Sequence, residues 1–182
     1  MQDSPPEGTV AIIGRVSYTN HRASAPLAVR CQVLTVSDTR NENNDHSGNA
    51  IVALLSEHGH NVVNKTIVSD DMEHIGTALE SMTKLQTIDV IITTGGTGIS
   101  HRDGTYEVVV KLFEKRIDGF GELFRSLSFS EIGSAAMLRR ACAALVKGKI
   151  VISLPGSEHA VRLAMTKLIL PELGHLVHEA KR

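Results

Sequence analysis

Chemistry in this sequence concentrates between Gly95 and Asp103. The stretch reads Gly95-Gly96-Thr97-Gly98, then Ile99-Ser100-His101, then Arg102-Asp103. Clustered glycines permit positive φ and leave backbone N–H groups unshielded, and such groups form a concavity that holds anions. The start of a following helix would add its positive end, so a phosphate or carboxylate is the expected guest. Asp103 conflicts with a site that only holds an anion. The conflict disappears if Mg²⁺ sits between them, because Mg²⁺ takes one or two carboxylates plus phosphate oxygens. Asp70 is a candidate second carboxylate, and Arg102 is suited to balancing charge or to binding phosphate directly. A second reading makes Asp103 a simple helix N-cap, and spacing alone leaves both open. The loop is neither a Walker loop, since no Gly-Lys-Ser/Thr follows, nor a dinucleotide fingerprint, whose last glycine is replaced by His101.

The elements around this loop explain how it would be positioned. Strand-like runs cover 29–37, 61–68, 89–92 and the second half of a hairpin turned at Lys147-Gly148. Helical spacing covers 49–59, a segment starting near Ser69 or Asp70 as N-cap, 105–115, two short helices broken at Gly133, and a long amphipathic stretch after Gly156. Strand alternating with helix predicts an α/β fold, a three-layer α/β/α arrangement with a mostly parallel sheet and one antiparallel strand near the C-terminus. In such a sheet the strand ends share one edge, and ligands bind in the crevice there. Ser37-Asp38, Ser69-Asp70, Gly95–Gly98 and Pro155-Gly156-Ser157 all fall at strand ends. Singly, Ser37 and Ser69 read as turn residues; as a set these positions read as a site.

The totals set bounds. The 182 residues carry 19 Lys+Arg and 20 Asp+Glu, for a formal charge of −1, which argues against a nucleic-acid binder working through bulk charge. Residues 1–20 read as a loose arm and 21–182 as one domain, long enough to bury roughly 70% of its unfolded surface. No apolar run reaches membrane length and no signal-peptide core is present, so a cytoplasmic protein is expected. Cys31 and Cys142 lie in apolar contexts and read as small buried hydrophobes. Asn41, Asn43 and Asp45 alternate as in a calcium loop, but His46 and Val52 occupy the positions that need glycine and glutamate. Ser47-Gly48 reads instead as a helix start able to receive a ligand. The 9 histidines lack partners at ligand spacing and read as surface residues. In "GFGELFR", Glu122 and Arg125 are spaced to pair, and the segment reads as a surface ion pair, a lip on the crevice or a subunit contact.

Taken together, "LTVSDTR…DHSG", "TTGGTGISHRDGTYE", "GFGELFRSLSFSEIGSAAMLRRA" and "LPGSEHAV" resemble the molybdopterin-binding family of MoaB and MogA, to which the G domains of plant Cnx and of gephyrin also belong. The similarity runs from about His21 to the end and is closer to MoaB. The resemblance implies a homo-trimer or hexamer. It implies molybdenum cofactor biosynthesis by Mg-ATP-dependent adenylylation of molybdopterin with release of pyrophosphate, with other proteins of that pathway as partners. It implies catalytic and Mg²⁺-holding roles for Asp70 and Asp103. Nucleotide and phosphate contacts would come from Gly95, Gly96, Thr97, Gly98, Glu107 and Ser157. Pterin contacts would come from Ser37, Asp38, Ser47, Gly48, Arg140, Pro155 and Gly156. A non-catalytic molybdopterin carrier and an oligomeric scaffold are the alternatives. Tyr106, Arg139 and Glu158 depart from the family pattern.

Overall fold

The computed structural model describes residues 26–182; the expected arm, 1–20, lies outside them. The chain runs β1 (Arg30–Val36), α1 (His46–Glu57), β2 (Asn61–Val68), α2 (Met72–Lys84), β3 (Val90–Thr94) and α3 (Thr105–Lys111). It continues through β4 (Lys115–Arg116), α4 (Asp118–Ile132), a 3₁₀ segment (Gly133–Leu138), β5 (Cys142–Val146) and β6 (Lys149–Leu154). It closes with α5 (Glu158–Ala164), a π turn (Met165–Ile169) and α6 (Leu170–Ala180). The six strands form one sheet in the order β2-β1-β3-β6-β5-β4. β1, β2, β3 and β6 pair in parallel, while β5 is antiparallel to both β6 and β4.

Helices cover both faces. On one face Val33, Ile92 and Ile152 meet Ile51 and Leu55 of α1, Phe124 of α4 and Val161 of α5. On the other, Leu34, Ile91 and Val151 meet Ile75 and Leu79 of α2 and Val108 and Val109 of α3. The three-layer expectation is met, because each central strand is apolar on both faces. Cys31 and Cys142 are free and buried, and burial pushes both thiols up to about 12.

Local differences from the sequence reading have identifiable causes. The helix expected to reach Lys115 stops at Lys111, and Lys115-Arg116 pairs with β5 instead. The helix after β2 is capped by Asp71, not Ser69 or Asp70: Asp71 accepts from the amides of Glu73 and His74 at 2.9 and 3.1 Å. That shift by one residue releases Asp70 for other work. The hairpin turns at Lys147 and Gly148, both at positive φ (49° and 72°), as a two-residue turn with right-handed strand twist requires. The final helix widens at its middle, where the Leu170 amide reaches back to Met165. Pro171 has no N–H to continue the ordinary ladder, and a π turn absorbs the defect.

Candidate active site

β1 lies between β2 and β3, so the chain winds outward in opposite directions from it, and the reversal falls between β1 and β3. A crevice opens at the carboxyl ends of strands flanking such a reversal. Here it has a volume of about 400 Å³. It gathers Ser37 and Asp38 after β1, Asp70 after β2, Gly95, Gly96 and Asp103 after β3, and Gly156 after β6. Thus the set scattered over some 120 positions of sequence comes together at one edge because four parallel strands end there.

The glycines permit close approach. Gly95 has φ 101°, and a Cβ on it would strike the Val36 carbonyl of β1. A Cβ on Gly156 would stand 3.2 Å from Gly95 Cα, so the β3 and β6 loops pack backbone on backbone. Gly96 has φ 61°, with Thr105 Oγ1 and Asp70 Oδ1 directly behind it. The Gly95 amide bonds the Leu154 carbonyl at 3.2 Å, but no acceptor among the described residues takes the amides of Gly96 and Thr97. These two donors are free to meet an anion.

Arg140 fixes this loop from behind. Its Nε donates to the Thr97 carbonyl at 2.8 Å, and its Nη2 donates to the Gly98 carbonyl. Its Nη1 pairs with Glu107, and the guanidinium carbon lies 4.8 Å from the Tyr106 ring centre. All faces of the guanidinium fork are therefore committed to the protein, and neither Arg140 nor Glu107 borders the crevice. Tyr106, a departure from the family pattern, buttresses Arg140. The other two departures also face away: Arg139 stands over Phe124 at 5.8 Å and Glu158 bonds Arg162 at 2.8 Å.

The acidic residues divide their tasks. Asp103 does not cap α3. One of its oxygens accepts from the Ser100 amide at 2.9 Å and the Ser100 hydroxyl at 2.6 Å, closing the turn after Gly98. Those bonds, led by the hydroxyl, hold its carboxyl below the usual range. Asp70 is the opposite case. Burial, then the charge of Asp103, raises its carboxyl above the usual range, with Asp38 adding to the effect and the Gly104 amide opposing it. Asp70 Oδ1 is buried with no hydrogen-bond partner, as is Thr105 Oγ1 beside it. An unpaired, buried carboxylate oxygen within the field of a second carboxylate is chemically suited to a cation. No group of three His, Cys, Asp or Glu residues forms a ready cage among the described residues.

Several expected contacts serve the scaffold in this conformation. Ser37 Oγ accepts from the Thr39 and Arg40 amides, both at 3.2 Å. Ser157 caps α5 by accepting from the Ala160 amide at 3.2 Å. Ser47 is fully buried and bonded by Arg40, and Gly48 packs where a Cβ would strike Asp45 and Thr35. Pro155 accepts from Thr94 Oγ1 at 3.1 Å. Glu122 and Arg125 form no ion pair; Gly121 between them admits the close approach of the Ala141 carbonyl at 2.8 Å from a Cβ position. The sequence reading missed Arg40, which crosses from the β1 loop to bond the Gly156 carbonyl at 2.6 Å, and Ser100 and Thr105. It also missed the role of Asp45, a buried carboxylate that caps α1 and accepts from Thr35 Oγ1 at 2.7 Å. Only the "SDTR" cation next to the strand-end acid offered a signal for any of these.

Among the described residues no helix is long and apolar enough to cross a membrane. Residues 32–175 match the family model described as a probable molybdopterin binding domain. The chain is 51% identical over 168 residues to a Bacillus cereus protein named molybdenum cofactor biosynthesis protein B, covering 92% of this chain and 99% of that one. A crystal structure of a molybdenum cofactor biosynthesis protein B superposes with a TM-score of 0.83 at 52% identity, over 86% of this chain and 98% of that one. The Pyrococcus furiosus MoaB, named a tungsten cofactor synthesizing protein, gives 0.79 at 40% identity, over 87% and 100%.

Proposed function

The chain belongs to the molybdopterin-binding family of molybdenum cofactor biosynthesis proteins, and on that premise we propose that it transfers an adenylyl group from ATP to molybdopterin, releasing pyrophosphate. The observation that carries this reading is the pairing at Gly96. The Gly96 and Thr97 amides have no acceptor among the described residues, and the unpartnered Asp70 carboxylate oxygen lies 2.8 Å from where a Gly96 Cβ would stand. An anion cradle beside an unsatisfied carboxylate suits a metal-bound polyphosphate.

In the reaction, a terminal phosphate oxygen of molybdopterin attacks the α-phosphorus of ATP. One P–O bond forms, the bond to the β-phosphate bridging oxygen breaks, and pyrophosphate leaves with the electron pair. Such transfers depend on positioning and on stabilisation of spread charge, and no protein nucleophile is required. Mg²⁺ held by Asp70 and Asp103 would supply that charge stabilisation. Gly96 and Thr97 hold phosphate oxygens, and Arg140 with Glu107 keeps their loop in shape. Ser37, Asp38, Ser47-Gly48 and Pro155–Ser157 bound the space left for the pterin.

The test is direct. Purified protein is mixed with molybdopterin and ATP, with and without Mg²⁺, and adenylylated molybdopterin and pyrophosphate are measured. Product formed only with Mg²⁺, and lost in Asp70→Asn, is the expected result. Tight molybdopterin binding without product would replace the enzyme by a carrier. We further propose a homo-trimer or hexamer. Its support is an apolar strip on α4 and the 3₁₀ segment, with Leu123, Phe129, Met137 and Leu138 exposed by 57, 62, 74 and 53%. A monomeric mass by light scattering would refute it.

A further inference from the structure

Arg102 and Asp38 form an ion pair that spans the crevice from the β3–α3 loop to the β1–α1 loop. The Arg102 side chain is 76% exposed and the Asp38 side chain 33%. The second oxygen of Asp38 accepts from the Asp70 amide at 3.0 Å, which turns that carboxylate toward the residue bearing the unpartnered oxygen. Asp38, Asp70 and Asp103 thus border one crevice together with two guanidiniums, Arg102 and Arg40, of which Arg40 is already tied to Ser47 and the Gly156 carbonyl. The buried and unpartnered Thr105 hydroxyl lies at the same point, behind Gly96. The acids outnumber the bases, and the base not tied to the scaffold, Arg102, stands on the exposed rim.

We propose that Asp38 is a third cation ligand kept out of use by Arg102, and that the phosphates of an incoming nucleotide draw Arg102 away and release it. This rests on the reading that the crevice takes a metal-bound nucleotide. Exposed ion pairs are weak, so exchange of partners costs little. A guanidinium fork matches phosphate oxygens at least as well as it matches a carboxylate. In the nucleotide-free protein the pair lowers the pull of the crevice on a divalent cation. With nucleotide present, Asp38 joins Asp70 and Asp103, and metal and nucleotide each strengthen the binding of the other, reciprocally.

The experiment is a double-mutant cycle on Mn²⁺ affinity, read by the loss of the free-ion paramagnetic signal without nucleotide. Mn²⁺ shares the oxygen-ligand preference of Mg²⁺. The proteins are wild type, Arg102→Ala, Asp38→Asn and the double variant, each first shown to keep its urea midpoint. Removing one positive charge beside a divalent site raises affinity about tenfold in a watery crevice. Arg102→Ala is therefore expected to bind Mn²⁺ about tenfold more tightly than wild type. Asp38→Asn is expected to weaken binding by less than about twofold in wild type but about tenfold in the Arg102→Ala background, a coupling that simple charge addition does not produce. Equal factors in both backgrounds, or an unchanged affinity in Arg102→Ala, would overturn the masking. A second arm titrates a non-hydrolysable ATP analogue with and without Mn²⁺. The gain that Mn²⁺ brings to wild type should shrink in Asp38→Asn. A wild-type protein that binds no analogue overturns the proposed function, and the exchange by nucleotide falls with it. An analogue that binds without showing the metal cycle overturns the masking alone.

Discussion

Replacing Arg140 by alanine separates a loop clamp from a ligand contact. The side chain donates to two loop carbonyls, pairs with Glu107 and stacks on Tyr106. Hydrogen bonds from a charged donor contribute about 1.5–3 kcal/mol when buried. The Arg140 side chain is 23% exposed and that of Glu107 43%, so the ion pair adds at most about 1 kcal/mol. The stacking adds about 0.5–1 kcal/mol. These terms share one side chain and do not add in full. A loss of about 3 kcal/mol is expected. Part of it falls on global stability, at about 2–4 °C of melting temperature per kcal/mol, and the rest on the loop alone. Binding must then reorder residues that Arg140 had held, at about 1–2 kcal/mol per residue, so pyrophosphate affinity should fall at least tenfold. The assays are urea unfolding, amide exchange over residues 95–100 and pyrophosphate titration. Arg140→Lys keeps the charge but not the fork, and should restore less than half of each loss. Unchanged stability and unchanged exchange alongside lost affinity would refute the clamp and make Arg140 a ligand contact.

Two further outcomes follow from the charged groups. Asp70 has a raised folded-state pKa, so its ionised form opposes folding: its favourable contribution exists below the unfolded pKa and is lost as pH rises through the folded one. Asp70→Asn, which can still accept from the Gly104 amide, should therefore raise the urea midpoint at neutral pH, with the gain fading toward pH 4. A lower midpoint at neutral pH would contradict the like-charge picture. Asp89 is the reverse case. It accepts from the Arg30 amide, Nε and Nη2 at 3.1, 2.9 and 2.9 Å and from Lys181 Nζ at 2.7 Å. Those bonds, led by the Arg30 side chain, hold its carboxyl far below the usual range, so its stabilisation is present above the unfolded pKa and is lost as pH falls. Asp89→Ala should cost about 2 kcal/mol at neutral pH, toward the low end for a paired acid because both cations are half exposed, and the difference should close on acidification. An equal cost at both pH values would point to packing instead.

Much of the fold was legible because its signals are local. Uninterrupted apolar runs such as Val90–Ile92 mark strands buried on both faces, and the helical spacing of Ile51, Leu54 and Leu55 marks α1. Where two local rules compete, the reading slipped. Ser69, Asp70 and Asp71 are all good caps, and only the folded chain shows that Asp71, with extended backbone, takes the Glu73 and His74 amides. Residues 105–115 read as one helix because the spacing permits it, and only the neighbouring β5 draws Lys115 and Arg116 into the sheet.

The sequence by itself determined that glycines, hydroxyls and acids sit at the ends of alternating strands, and its motifs determined the family. That much follows from chain periodicity and residue type. The division of labour among those residues was decided only by tertiary structure. Asp70 is left unpartnered while Asp103 is tied to Ser100, and Arg140 turns to the back of the loop instead of into the crevice. The physical reason is that a hydrogen-bond partner is chosen by distance in space. Asp38 and Arg102, or Arg140 and Thr97, become neighbours only when parallel strands bring their ends to one edge.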